Sequence, residues 1–415
     1  MKLQIILQFI LCCFVFSAIA QQTTKSDRSA PLCEQDIHVE KVINVTDLGA
    51  KPNSGRNDWE SFNRAFSKMQ QAGEKVKLVI PGGTYHLEAP SDRTYLFRLQ
   101  NITEFIIEGQ DVLLIIDNPV QAFLNLNSCS KGIIKGISVD YSILPFAQGR
   151  ITGVDKSNFT FDFEVDSISP SPLAKNFVES NTKWGVLFDK NKPTELKKKS
   201  VNLVAIRNIS TLIPEKLFRI TTQRNAIEDM ESNDPFAIIA RYNGRATYNT
   251  TCSQRITFLN NTNYAGPAGG FSSRDSDELA YVNCRIIQKE GRLISQNADC
   301  MHVLPGRIGP WVERCLFEGQ MDDAINLKTE LVYIKEVIAP NQFVVTSQLS
   351  MNDKLALFNP REGVLIGECA VLRIVKHTAG YLITTDKDFD NLRTGTDKTS
   401  DMFFNMNKSN AGFIL

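Results

Sequence analysis

The sequence predicts an all-β fold: a right-handed parallel β-helix with an N-terminal capping helix and two inserted antiparallel β modules that resemble barrels. Short β-branched runs such as VKLVIPGGTYHL, EFIIEGQDVLLIID and KGIIKGISVDYS are broken by Gly, Asn or Asp about every two to three dozen residues. No helix long enough for a βαβ unit separates them. Spaced strands of this kind are typical of a parallel solenoid, in which each strand pairs with the corresponding strand of the next coil.

The composition indicates a globular chain whose partners are not selected by net charge. The chain has 415 residues, and its 42% hydrophobic content is enough for a sizeable core. Lys plus Arg equals Asp plus Glu, at 46 each, so no overall field favours nucleic acid or an anionic membrane surface. We therefore expect neither as a partner, and the sequence carries no signal for the oligomeric state.

The first 20 residues, MKLQIILQFILCCFVFSAIA, predict a secretory signal peptide. They combine the basic Lys2 with an apolar run and small residues at Ala18 and Ala20, although an uncleaved membrane anchor is an alternative. No later stretch is long and apolar enough to span a bilayer. We therefore expect a secreted chain, extracellular or periplasmic, in which a flexible segment at 21–40 precedes the fold.

The cysteines and glycosylation sequons agree with export but define no metal site. Seven cysteines follow residue 20, widely spaced and without a CxxC pair, so neither zinc nor a dense disulfide framework is indicated. One or two disulfides remain open, with Cys300 and Cys315 either bridged or buried as thiols. A secreted glycoprotein would also suit the N-x-S/T sequons at Asn44, Asn101, Asn158, Asn208, Asn249, Asn260 and Asn407.

The first coils, with the capping helix, are predicted over residues 41–149. After a short strand and a turn, Trp59, Phe62, Phe66 and Met69 recur at three- and four-residue steps, which predicts a helix with one apolar stripe. Asp58 precedes this stripe and is a suitable N-cap. Such a helix must lie on an apolar surface, and the open end of the solenoid provides one.

Two stretches depart from the coil rhythm and predict antiparallel insertions. Residues 150–240 contain RITGVDKSNFTFDFEV, and residues 328–395 contain VYIKEVIAPNQFVVTSQ and GECAVLRIVKHTAGYLITT, all of strand–turn–strand design. Between them, coils over 241–327 carry the candidate site. Residues 396–415 are predicted to start a further coil.

Three aspartates stand out within these later coils. NADCMHV contributes Asp299, and EGQMDDAINLK contributes the adjacent pair Asp322 and Asp323. A purely structural need would rarely select such a pair, because adjacent like charges repel and burial makes each harder to ionise. A spacing of 23 residues, about one coil, places Asp299 and Asp322 on neighbouring rungs, about 4.8 Å apart. Because side chains alternate along a strand, Asp322 and Asp323 can share a face only if a bulge or turn intervenes. The alternative to a catalytic role for the pair is that they cap turns or bind calcium.

The segments around these aspartates resemble a known enzyme family. VTDLGAKPNSGRNDWESFNRAF resembles the start of many pectin-lyase-like β-helix proteins. GRLISQNADCMHV followed by VERCLFEGQMDDAINLK resembles glycoside hydrolase family 110, inverting α-galactosidases that remove terminal α-1,3-linked galactose. That family carries A-D-x-x-H and then N-C-x-F-E-x-Q-x-D-D-x-x-N-V-H-G. The resemblance covers most of residues 42–415 and is strongest from about Gly291 to Leu327.

Two departures from the family pattern concern specificity and the C-terminal end. The family's N-V-H-G reads NLKT here, so Lys328 stands where a histidine is expected. The sequence ends at NMNKSNAGFIL, where the family continues with further coils, so we expect an open apolar rung there unless the sequence is a fragment or another segment covers it.

The resemblance implies an exo-acting glycoside hydrolase that needs no cofactor or metal and acts on galactose-terminated glycans. Inverting hydrolysis needs one carboxyl as acid and one as base. Asp299 would pair with Asp322 or Asp323, with the roles unassigned. The residues expected to contact substrate are His302, Asn297, Asn326 and Lys328. The alternatives are that the two asparagines are structural, as stacked asparagines in solenoids often are, and that His302 is a groove residue without function. Two alternatives stay open: a catalytically inactive carbohydrate-binding β-helix, and a polysaccharide lyase, for which Lys328 is the one supporting feature.

Overall fold

A computed structural model describes residues 28–180, 183–198, 203–241 and 244–415. The predicted signal peptide at 1–20 and the first residues of the predicted flexible segment lie outside the described residues. Within the described part, no helix is long and apolar enough to cross a membrane.

The N-terminal part consists of parallel strands and one long helix. The elements are β1 (Lys41–Asn44), α1 (Trp59–Ala72), β2 (Glu74–Ile80), β3 (Gly83–Leu87), β4 (Tyr95–Gln100), β5 (Thr103–Ile116), β6 (Ala122–Asn127) and β7 (Ser130–Tyr141). Helix α1 packs against β1, β2 and β4 and buries the predicted stripe, including Phe66. Asp58 occupies the N-cap position, but its carboxylate accepts from the Lys51 backbone amide instead of capping the helix.

An antiparallel insertion follows β7. Its elements are β8 (Phe146–Asp155), β9 (Thr160–Val165), α2 (Lys175–Val178), β10 (Lys183–Asp189), β11 (Lys192–Leu196), β12 (Val204–Ala205), β13 (Asn208–Ile213), β14 (Leu217–Thr221), α3 (Arg224–Ile227) and β15 (Pro235–Ala240). The strand order is β11-β10-β15-β8-β9-β14-β13, with β12 beside β10, and the sheet does not close among the described residues. It has its own core, in which Phe161 and Phe163 pack on Phe236. The described residues of this module therefore form an open antiparallel sheet, so the prediction that it resembles a barrel was wrong.

The solenoid resumes after this insertion. Its strands are β16 (Tyr248–Thr251), β17 (Gln254–Leu259), β18 (Thr262–Asn263), β19 (Phe271–Arg274), β20 (Ala280–Val282), β21 (Arg285–Ile286), β22 (Met301–Val303), β23 (Trp311–Glu313), β24 (Leu316–Phe317) and β25 (Ile325–Leu327). One parallel sheet runs β1-β2-β5-β7-β17-β20-β23, with β3, β18, β21 and β24 alongside. A second runs β4-β6-β16-β19-β22-β25. This coil-to-coil pairing confirms the predicted parallel β-helix.

The second insertion is a closed barrel, as predicted. Its strands are β26 (Glu330–Ala339), β27 (Gln342–Val345), β28 (Lys354–Asn359), β29 (Val364–His377), β30 (Gly380–Thr385) and β31 (Met402–Asn405), closed in the order β26-β27-β30-β29-β28-β31. After the barrel, Ala411 bridges to Ile308 and Ile414 to Trp311, so the chain returns to the solenoid.

The solenoid interior is apolar and aromatic. Tyr248 and Phe271 stack at 5.2 Å on neighbouring rungs. The seven cysteines of the described residues are all free thiols, so Cys300 and Cys315 do not form a bridge. On the last full rung, Leu316 and Leu327 are each 38% exposed.

Candidate functional site

The predicted site lies on the last two rungs of the second parallel sheet. Strands β22 and β25 pair with an offset of 24 residues, His302 with Asn326. The backbone amide of Cys300 donates to the Asp323 carbonyl at 3.0 Å, which continues this register. The rung neighbour of Asp299 is therefore Asp323, whereas the 23-residue spacing had suggested Asp322. The coil is one residue longer than that spacing implied.

This register exposes an internal repeat that the sequence analysis missed. Residues 295–303, SQNADCMHV, align with residues 319–327, GQMDDAINL, so that each coil presents Q-x-x-D before its strand. Gln296 and Gln320 form a bridge on the two rungs, in the same register. Comparing the two segments with each other would have paired Asp299 with Asp323.

The three predicted carboxylates converge. One oxygen from each of Asp299, Asp322 and Asp323 lies within 4.8 Å of the others. Asp299 is buried, whereas Asp322 and Asp323 are exposed. The chain bends over 321–324, just before β25, and this turn lets consecutive side chains share one face. Hard cations prefer oxygen ligands, so the same cluster has the chemistry to hold a divalent ion.

Asp299 is held by His302. Its Oδ2 lies 3.4 Å from His302 Nδ1. Burial raises the pKa of Asp299, but the hydrogen bond and charge of His302, helped by a hydrogen bond from Asn326, bring the pKa below its ordinary value. Asp299 Oδ1 and His302 Nε2 are buried without a hydrogen-bond partner among the described residues. Both atoms therefore have capacity to bond a sugar hydroxyl or water.

Asp322 is bound by a residue that the sequence did not indicate. Arg241 follows the last strand of the first insertion, and its Nη1 lies 2.7 Å from Asp322 Oδ2. Its Nη2 donates to the Met321 carbonyl at 2.8 Å, and its Nε donates to the Asn297 carbonyl. The guanidinium also lies over the Trp184 ring, 4.5 Å from the centroid. Arg241 thus fastens the first insertion to the site across 81 residues of sequence, a contact with no local signal.

The remaining predicted residues take different places. Asn326 donates from Nδ2 to Asp323 Oδ2 at 2.8 Å, so it orients that carboxylate. Lys328 is exposed just beyond β25, and it does not line the groove described below.

Asn297 lies behind the site instead of on its surface. It is fully buried, and its Nδ2 donates to the carbonyls of Pro145 at 2.9 Å and Ala240 at 3.2 Å. Those carbonyls flank the two ends of the first insertion. Because its amide nitrogen is committed to backbone carbonyls, Asn297 holds the insertion in place. Its Oδ1 is buried without a hydrogen-bond partner among the described residues, and the expected contact with substrate stays a prediction.

A groove of about 580 Å³ runs along the second parallel sheet, and Asp299 and His302 line it on the last of its rungs. A ladder of polar side chains, one on each rung from β4 to β22, follows it. These residues are Arg98, Asn125, Asn249, Ser272 and His302. Such a ladder offers donors and acceptors to an extended polar ligand.

The rungs next to Asp299 carry little bulk. Ala246 and Gly269 line the groove there. A Cβ at Gly269 would lie 2.9 Å from the Asp299 carbonyl oxygen and 3.9 Å from Ala246 Cβ, so these three residues are stacked on consecutive rungs. Small side chains at these positions leave space for a ligand to approach Asp299 along the groove.

Comparison with known proteins agrees with the segment resemblance. No protein-family model matches the chain. The α-1,3-galactosidase B of Bacteroides thetaiotaomicron is 24% identical over 371 residues, which cover 83% of this chain and 60% of that protein. The α-1,3-galactosidase A of Shewanella woodyi is 22% identical over 72% of this chain and 52% of that protein.

The chain is similar to curated α-1,3-galactosidases. This confirms the resemblance inferred from the aspartate-bearing segments. The chain spans only part of these relatives, down to 40% of the α-1,3-galactosidase B of Akkermansia muciniphila. Among solved structures, a putative glycosyl hydrolase from Parabacteroides merdae is 10% identical over 69% of this chain and 92% of that one, with a TM-score of 0.33. The fold assignment rests on the strand pairing of this chain itself.

Proposed function

We propose that this protein is an exo-acting glycoside hydrolase that removes a terminal α-linked galactose, with an α-1,3 linkage, from a glycan. One observation carries the proposal: three carboxylates converge within 4.8 Å beside a polar groove, on the segments that resemble α-1,3-galactosidases. Glycoside hydrolysis needs two carboxyl groups at the scissile bond.

The surroundings of the carboxylates support different roles. Asp299 has a lowered pKa beside His302, so it is ionised and suited to act as the general base. Asp322 is paired with Arg241, whereas Asp323 has no cationic partner among the described residues. We therefore propose Asp323, the carboxylate without a cationic partner, as the acid.

In this mechanism two protons are transferred, the glycosidic bond breaks and a bond from the anomeric carbon to the water oxygen forms. Asp323 donates its proton to the glycosidic oxygen as the bond to the anomeric carbon breaks. Water attacks that carbon from the opposite face and gives a proton to Asp299. The products are β-galactose and the shortened glycan with a free hydroxyl.

The spacing of the carboxylates bears on the stereochemistry. Inverting enzymes separate their carboxyl groups by roughly 6.5–9.5 Å to admit water, and retaining enzymes by roughly 5–5.5 Å. The nearest oxygens here lie within 4.8 Å, which favours retention. Inversion is our proposal from the resemblance, and it requires substrate to separate Asp299 from the exposed bend at 321–324. The anomer formed first distinguishes the two routes.

The deciding experiment is a proton NMR time course of the purified protein with an α-1,3-galactosyl oligosaccharide. Early β-galactose supports the proposal with inversion, and early α-galactose supports hydrolysis with retention. Asp299→Asn is the matched inactive variant. If no sugar is released but the wild type and Asp322→Asn bind the glycan equally, the carbohydrate-binding alternative replaces the enzyme. Unsaturated products that absorb in the ultraviolet would identify a lyase.

We also propose that the reaction needs no metal, although the carboxylate cluster has the chemistry to hold one. Treatment with EDTA should leave the rate of galactose release unchanged, measured against a sample to which calcium is restored. A rate that falls with EDTA and recovers with calcium would instead make the three aspartates cation ligands.

Export is a separate proposal that rests on residues 1–20. Expression of the full chain, followed by N-terminal sequencing of protein from the medium or periplasm, should give a start close after Ala20. Protein that stays in the cytoplasm with its first residues intact would contradict it.

A further inference from the structure

Two arginines line the groove away from the aspartates. Arg98 lies on β4, and Arg245 lies just before β16; both line the groove and are exposed. From the rung of β4 to that of β22 the sheet passes β6, β16 and β19, four steps or about 19 Å. Arg98 is therefore well separated from the carboxylates, whereas the backbone of Arg245, beside the rung of β16, lies two steps or about 10 Å from the rung of Asp299.

The positive charges of both guanidinium groups act on Tyr95, which also lines the groove. Burial raises the pKa of the Tyr95 phenol to about 12, and the positive charges of Arg245 and Arg98 both act to lower it. Both charges thus act on the same hydroxyl, which stays protonated at neutral pH.

Neither arginine has a carboxylate partner in the described part of the chain. Arg98 donates to Thr94 Oγ1 at 3.2 Å, and neither guanidinium takes part in an ion pair there. Among the groove-lining residues the one carboxylate is Asp299, four rungs from Arg98 and two from the backbone of Arg245. By contrast, Arg314 on the outside of the solenoid pairs with Glu313 at 3.2 Å.

We propose that the part of the groove lined by Arg98 and Arg245 binds an oxyanion, a sulfate ester or a carboxylate, carried by the part of the glycan that is not cleaved. The inference rests on the proposed function for the direction of the glycan in the groove. The terminal galactose lies at Asp299, and the rest of the glycan follows the polar ladder. Guanidinium groups bind sulfate and carboxylate through paired, charge-assisted hydrogen bonds. The preferred substrate is then an acidic, galactose-ended oligosaccharide long enough to cross four rungs.

Binding is measured first, so that the result does not depend on turnover. The probes are a sulfated galacto-oligosaccharide without a terminal α-galactose, its desulfated form and a uronate-bearing oligosaccharide of the same length. Calorimetry with the wild type, Arg98→Gln, Arg245→Gln and the control Arg314→Gln gives the affinities. All three substitutions are at exposed positions, and melting temperatures verify folding.

We expect the wild type to bind at least one acidic probe about ten-fold more tightly than the neutral one, with an affinity that falls as salt rises. Arg98→Gln and Arg245→Gln should each remove most of this preference, and Arg314→Gln should leave it intact. Whichever acidic probe binds identifies the oxyanion. Equal binding of acidic and neutral probes, or loss of preference in Arg314→Gln alone, overturns the proposal.

The outcome is separable from that of the hydrolase proposal. Acidic binding without galactose release would retain the oxyanion site and reject the hydrolase. Galactose release with no preference for acidic glycans would retain the hydrolase and reject the oxyanion site. If both hold, the sulfated substrate should show a lower KM than its desulfated form, and Arg98→Gln should equalise the two.

Discussion

Asp299 is the one buried member of the aspartate cluster, and its contact with His302 has a consequence for pH. An ionised base acts only above its own pKa. Because the pKa of Asp299 is lowered from 3.8, activity should persist as pH falls to that value and disappear only below it.

We predict that His302→Ala moves this acidic limb of kcat/KM to higher pH. The substitution removes the hydrogen bond and charge that lower the pKa of Asp299, whereas burial, which raises it, remains. The measurement is a pH–rate profile of galactose release. His38→Ala is the control, since His38 is exposed and pairs with Glu40. A limb that stays in place would show that Asp299 is not the titrating base.

Arg241 is the second residue whose role can be tested. It is a positioning residue, because it contacts Asp322 and two backbone carbonyls but does not line the groove. We predict that Arg241→Gln lowers kcat about ten-fold or more with a small change in KM, since hydrogen bonds to charged groups are worth about 1.5–3 kcal/mol.

The conservative variant separates charge from geometry at this position. Lysine keeps a positive charge but lacks the planar fork that serves two carbonyls and a carboxylate together. Arg241→Lys should therefore recover part of the lost kcat, with Arg314→Lys as the matched control. Equal losses in Arg241→Gln and Arg241→Lys would assign the effect to the geometry of the guanidinium contacts and not to the charge.

At the scale of elements, helix α1 closes the solenoid through aromatic contacts. Phe66 stacks on Phe97 at 4.1 Å between ring centroids and meets Phe123 edge-on at 6.5 Å. We predict that Phe66→Ala lowers the free energy of unfolding by about 3–5 kcal/mol, because a buried aromatic side chain leaves a cavity. Denaturant unfolding measures this. Lys68→Ala, on the exposed face of α1, should change it little; equal effects would mean that α1 does not carry the closure.

The same elements show what the sequence could and could not predict. The stripe that includes Phe66 and the β-branched runs are local patterns, and local patterns specify which side of a helix or strand is buried. The coil length is not local: it depends on how the turn at 321–324 fits above the previous rung, which shifted the partner of Asp299 from Asp322 to Asp323. Arg241 reaches Asp322 only because the open first insertion returns its chain to the solenoid.

At the scale of the whole molecule, both insertions are tied to the coils that carry the site. The first is held by Arg241, and also by Gln148, which donates to the Gly291 carbonyl at 2.8 Å. The barrel is held at Arg307, in the loop between β22 and β23, which donates to Asp353 Oδ1 at 3.1 Å. Asp353 lies just before β28 of the barrel and is buried. Arg307 follows β22, the strand after Asp299, so this ion pair connects the barrel to the coil that carries Asp299.

We predict that Arg307→Ala loosens the barrel on the solenoid. The substitution leaves a buried carboxylate oxygen without its cationic partner, and such a loss costs about 1.5–3 kcal/mol. Limited proteolysis should then cut faster at the connections on either side of the barrel, near residues 328–330 and 405–410, while the fragment from the earlier coils persists. Arg314→Ala removes an arginine from an exposed pair and should leave the cleavage pattern unchanged. If both variants are cut like the wild type, the barrel is held by its packing and backbone connections and not by the Arg307–Asp353 pair.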